Sequence, residues 1–220
     1  LWHEFCHTVT LALTRNKMPR WLSEGISVYE ERQAQPTWGQ RMNPRFRELI
    51  LGGELTPVSK MSGAFLAPES NLHLQFAYYQ SSLVVEHLTE RFGLEAIRNI
   101  LKDLGEGVEI NAAIAKHTEP LDKLETAFRA YAVAKAKALA PELDWTKPDS
   151  ETLRAGMEEF AKKHPKNFYL LVRQARRALN DKDWEAVKAP CKELIKLFPH
   201  QTRGDGNPYV MLARAQRELE

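Results

Sequence analysis

Apolar side chains recur at intervals of three and four residues along most of this chain. That spacing stacks them on one face of an α-helix. Glycine and proline punctuate the pattern. Residues 2–13 predict a first helix and residues 19–32 a second, with Pro19 acceptable in its first turn. Residues 44–51 form a short helix that stops at Gly52-Gly53. Residues 68–92 form a long one ended by Gly93, and residues 94–104 another that ends at Gly105. Helices over 109–116 and 120–139 complete this part. Alternation with a period of two and clusters of β-branched residues are scarce, so no strand is predicted and the fold class is all-α.

The pattern changes character after residue 140. Residues 141–150 (PELDWTKPDS) carry two prolines among polar residues and predict a linker. It divides a first region, 1–140, from a second, 151–220. In the second region Pro165 and Pro199 each close a helix and lie 34 residues apart, the tetratricopeptide period. Tyr169-LLVRQARRAL also aligns with Tyr209-VMLARAQREL at an offset of 40, which places six inserted residues around Arg203-Gly204-Asp205-Gly206. Asp183-Trp184-Glu185-Ala186 is similar to the start of the second helix of such a repeat. Tetratricopeptide-like helical hairpins are the expectation, with a generic helical bundle as the alternative. A concave repeat surface would serve to hold a protein partner.

Composition narrows the function classes. Hydrophobic residues make up 43% and charged residues 27%, the balance of a globular chain. The net charge of +2, from 31 basic and 29 acidic side chains, recruits neither nucleic acid nor an anionic membrane. No apolar run approaches the roughly 20 residues that span a bilayer. Cys6 and Cys191 fall in different regions, so no disulfide framework is expected. The chain opens inside a motif, and its start is expected to lie upstream.

That motif is His3-Glu4-Phe5-Cys6-His7, an H-E-x-x-H pentapeptide. On a helix, positions i and i+4 share a face, so two imidazoles can meet one zinc ion at about 2.0–2.1 Å each. Glu4 projects beside the ion and can take a proton from its water. Cys6 points off the histidine face and is read as packing. The bland alternative is a surface helix with incidental histidines. A catalytic zinc site also needs a third protein ligand and one open position.

The text that follows bears on that choice. Trp21-Leu22-Ser23-Glu24-Gly25-Ile26-Ser27-Val28-Tyr29-Glu30-Glu31 resembles the W-L-x-E-G-x-x-x-Y-x-E helix of the gluzincins, the peptidase MA-like metallopeptidases. The resemblance implies Glu24 as third ligand, sixteen residues (8 to 23) after His7. This spacer is shorter than in the aminopeptidase branch, which leaves the branch open. The resemblance also implies that Glu31, two turns past Glu24, orients a zinc-binding histidine. A solvated helix end beside Glu30 and Arg32 is the alternative.

Phe76-Ala77-Tyr78-Tyr79-Gln80-Ser81, running on to Phe92-Gly93, is similar to the A-Y-x-Q-S helix of the same family, whose tyrosine hydrogen-bonds an oxyanion. The match selects Tyr78. Both tyrosines also fall on core-like stripes: Tyr78 with Leu74, Ser81, Val85 and Leu88, and Tyr79 with Leu72, Phe76 and Leu83. Tyr79 and His73 are the lesser candidates. His73, His87, His117, His164 and His200 lack partner spacing and default to surface or helix-end roles. Arg15, Lys17 and Arg20 crowd the loop between the motif helices, where such a cluster is ordinarily solvated.

The resemblance runs from Leu1 to about Leu139. It implies the helical, C-terminal part of a zincin catalytic domain whose small sheet is not in this text, one zinc ion, a peptide or protein substrate, and amide hydrolysis with Glu4 as base and Tyr78 as oxyanion donor. Residues 1–220 without an edge strand to align substrate are expected to be nearly inactive. A bacterial cell envelope or other extracytoplasmic setting is the expected compartment. A reading of a different class is a non-catalytic interaction protein in which the repeats act and the zinc site is a remnant. The intact Glu4 argues against it, since a structural site has no use for a base.

Overall fold

The computed structural model describes residues 1–155, 157–204 and 206–220. The protein is all-α: among the described residues there is no strand, and an isolated bridge joins Asp144 to Asn167. Among the described residues no helix is long and apolar enough to cross a membrane. The chain divides into two compact units, Leu1–Leu139 and Ala140–Glu220.

The first unit holds α1 (Trp2–Leu13), α2 (Arg20–Ala34), α3 (Pro44–Leu51), a 3-10 turn (Val58–Lys60), α4 (Met61–Leu66), α5 (Asn71–Glu106), α6 (Ile110–His117) and α7 (Leu121–Lys137). Between α1 and α2 the chain reverses through Arg15 and Asn16, both left-handed (φ 51° and 60°). The amide of Asn16 bonds back to the carbonyl of Leu11 at 2.9 Å. This tight return sends α2 antiparallel along α1.

The core forms where α2 lies on α5. Trp21 and Leu22 from α2 share one core cluster with Leu83, Val84 and Leu88 from α5, each at most 1% exposed. Burial of such side chains stabilises by roughly 1.5–3 kcal/mol each. The crossing is close because of Gly25: a Cβ there would stand 2.8 Å from the carbonyl oxygen of Ser81. At the other end of α2 a buried ion cluster ties three helices. Glu86 of α5 accepts from Arg32 of α2 at 2.7 Å and from Lys135 and Tyr131 of α7 at 2.6 and 3.0 Å. Burial pushes the Glu86 carboxyl up, but these donors outweigh it and hold it below the ordinary carboxylate value. Arg32 is therefore a tie between helices, which goes against the alternative of a solvated helix end there.

Two boundaries of the long helix differ from the sequence expectation. Residues 68–70 precede the long helix, which starts at Asn71 because Ser70 caps it by accepting from the His73 amide. Gly93 (φ 78°) interrupts this helix as expected, but Gly105 does not end it. The stop is Gly107, in the left-handed conformation, and Gly105 is where the helix passes Leu13, whose carbonyl oxygen would be 2.8 Å from an added Cβ.

The second unit holds α8 (Ser150–Ala155), α9 (Glu158–Lys163), α10 (Phe168–Asn180), α11 (Trp184–Leu197) and α12 (Pro208–Arg217). Residues 141–150 pack within it: Leu143 is buried, Trp145 lies on Phe168 with centroids 4.8 Å apart, and Asp144 bonds His164 at 2.5 Å. Helices α10 and α11 form a hairpin, and α12 packs on both. The 40-residue offset holds in three dimensions. Asn167 and Asn207 cap α10 and α12, Leu171 and Met211 are buried, and Ala175 and Ala215 are fully so. Of the insertion expected around 203–206, Asp205 lies outside the described residues.

Candidate metal centre

Helices α1 and α2 face each other with their polar positions inward. His3 and His7, one turn apart, have their rings edge to face with centroids 4.7 Å apart. Their Nε2 atoms lie 3.2 and 3.4 Å from the same oxygen, Oε2 of Glu24. One ligand atom from each of the three residues falls within 4.8 Å of the other two.

The second nitrogen of each ring has its own partner. Nδ1 of His3 lies 3.2 Å from Oε2 of Glu31, and since a carboxylate only accepts, the imidazole donates. Nδ1 of His7 lies 2.8 Å from the hydroxyl of Ser23 and 3.3 Å from that of Ser27. With the proton on Nδ1 in both rings, the two Nε2 lone pairs and Oε2 converge on one point. In that tautomer three acceptors face one another with no donor between them, an arrangement that suits a cation. Two donors each about 2.0–2.1 Å from an ion at a tetrahedral angle stand about 3.3–3.4 Å apart, which agrees with the two distances to Oε2. The residues present therefore fit a zinc ion.

The other oxygen of Glu24 faces away. Oε1 accepts from the Tyr78 hydroxyl at 3.3 Å and from Nε of Arg20 at 3.3 Å, and Nη2 of Arg20 donates to the Tyr78 hydroxyl at 2.9 Å. Tyr78 is half-buried, against Phe65. Its neighbour Tyr79 is a core residue, 3% exposed and stacked on Phe46, and burial pushes its phenol up. His73 bonds Ser70 and Glu54 and touches none of these groups. Glu4 is exposed on the first turn of α1. Cys6 is buried; burial first, and the carboxylates of Glu30 and Glu31 second, push its thiol up and disfavour the thiolate that a metal would need.

Several of these neighbours were missed in the sequence. Ser23 and Ser27 are buried serines one turn apart in an apolar stretch, and that pairing was the available signal. Arg20 is exposed, as expected of its cluster, yet it also bonds Glu24, a partner its i, i+4 relation made visible. Lys17 of the same cluster donates to the carbonyl of Gly105 at 3.2 Å. Not every other histidine takes the surface or helix-end role expected for it. His87 is 3% exposed beside Phe128 and Tyr131, and burial lowers its pKa.

A family model described as the Peptidase MA superfamily matches residues 1–134. No curated protein and no solved structure matches the chain. The matched span runs through α1, α2 and the long helix that carries Tyr78, and on these grounds the chain belongs to the Peptidase MA superfamily.

Proposed function

We propose that the first unit is a zinc-dependent peptide hydrolase of the gluzincin type. The observation that carries this reading is the convergence of His3, His7 and Glu24, with the outer nitrogen of each ring separately held. These three residues would hold one zinc ion, and Glu31, Ser23 and Ser27 keep the two imidazoles turned toward it. When bound, the ion supplies a Lewis acid that brings a water toward a pKa of about 7 and polarises a carbonyl. Glu4 takes up a proton on its carboxylate and returns it to the leaving amine. Tyr78 offers its hydroxyl to the charge that develops on the former carbonyl oxygen. The substrate is a peptide or an unstructured protein. The second unit, read as tetratricopeptide-like, holds a protein partner.

The test is Glu4→Gln in the full-length protein, with the strand expected to align substrate. The amide has the size of the acid and cannot take up the proton. Elemental analysis after reconstitution is expected to show near-stoichiometric zinc in both proteins. Hydrolysis of an unstructured protein is expected to fall by roughly 10²–10⁴-fold in the variant. Turnover above a few per cent of the parent's would mean that another group is the base. Zinc binding with no turnover in the parent would favour the interaction-protein reading.

A further inference from the structure

We infer that Arg20 and Tyr78 form a clamp on Oε1 of Glu24 that leaves Oε2 as its single ligand atom. The inference rests on the metal centre proposed above. A carboxylate can bind a cation through one oxygen or two, and rotation about its last torsion is soft. Here the two oxygens have separate tasks. Oε2 faces both Nε2 atoms, while Oε1 takes two donors from the opposite side.

The clamp closes on itself. Arg20 donates through Nη2 to the phenol oxygen, so the phenol proton is left for Glu24. Phe65 of α4 backs both members: the guanidinium sits 5.6 Å from its ring centroid, and the Tyr78 ring meets it edge-on at 5.1 Å. Phe65 is itself buried. Three elements thus fix one oxygen: Arg20 from α2, Tyr78 from α5, Phe65 from α4.

Charge alone does not account for Arg20. A guanidinium beside a metal ligand repels the ion, so what it adds is orientation, through a planar fork that a lysine lacks. A catalytic zinc site needs an open coordination position, and a carboxylate free to bring up its second oxygen would crowd it. Arg20 and Tyr78 are in this respect positioning residues. The Tyr78 hydroxyl holds Glu24 in the resting site and is the same donor that the proposed reaction uses later.

The test is cobalt substitution of the intact protein, because the visible d–d band weakens as coordination number rises. Parent, Tyr78→Phe and Arg20→Ala/Tyr78→Phe proteins are compared, with zinc dissociation constants from chelator competition. Tyr78→Phe changes no charge. In it the band is expected to weaken and the zinc dissociation constant to rise about 10-fold, with a larger change in the double variant. Arg20→Lys is expected to fall short of the parent, because the fork and not the charge is what acts. A double variant with the parent's band and dissociation constant would overturn the clamp. His7→Ala separates the two failures: if it keeps the parent's metal affinity, the metal centre is wrong and the clamp with it. If it loses metal while the double variant matches the parent, the clamp alone is wrong.

Discussion

Helices α1 and α2 both carry proposed ligands, yet they are held in opposite ways. The text of α1, WHEFCHTVTLAL, is the more apolar, but α1 buries only Cys6 and Thr10. Its Trp2, Phe5, Val9 and Leu13 stand 41–59% exposed. The text of α2, RWLSEGISVYEERQA, is the more polar, and seven consecutive or near-consecutive residues from Trp21 to Val28 are buried. Neighbours, not composition, decide burial here: α2 has α5 against it at Gly25 and the Glu86 cluster at its end, whereas α1 leans on α2 and meets α5 where Leu13 passes Gly105. The polar bonds of His3 and His7 all reach across to α2. The first two ligands are thus positioned by the helix that carries the third.

This asymmetry can be broken by mutation. The largest effect is expected from His7→Ala, which should lose nearly all zinc by elemental analysis. In the parent, zinc should slow hydrogen exchange of the α1 amides far more than that of α2, and His7→Ala should abolish the slowing. Equal protection of both helices by zinc would contradict the contrast. A smaller effect is expected from Gly25→Ala. Alanine favours a helix over glycine by about 1 kcal/mol, but its Cβ would meet backbone atoms of Ser81, an overpacking that costs about 1–3 kcal/mol. Denaturant unfolding should show a net loss of stability, and a variant at least as stable as the parent would mean that α2 and α5 can part freely. The smallest effect is expected from removing residues 140–220. Zinc affinity and α1 exchange should stay unchanged, and loss of zinc binding would show that the metal site depends on residues past Leu139.

Much of the site was legible because helices make sequence spacing into geometry. His3 and His7 at i and i+4 had to share a face, and Glu24 and Glu31 at i and i+7 had to share another. What local spacing cannot carry is which hydroxyl or cation arrives from another element. Tyr78 and Tyr79 both fit apolar stripes, and only the packing of Phe46 on one side and Phe65 on the other separates them. Phe65 itself lies on α4, six residues without enough text to show a period. Gly105 reads as a helix stop from sequence, but the stop is Gly107. The difference is that one meets the backbone of Leu13 and the other turns left-handed.

Two serines reach the same nitrogen of His7, at 2.8 and 3.3 Å, while Nδ1 of His3 has Glu31. This makes the two imidazoles unequal in the face of genetic drift. With the ring proton on Nδ1, loss of either serine hydroxyl leaves the other to accept it, so a single substitution at 23 or 27 is expected to leave His7 anchored. At His3 the corresponding step has no spare hydroxyl to fall back on. Within the proposed ligand set, substitution of Glu31 is therefore expected to cost more zinc affinity than substitution of either serine alone.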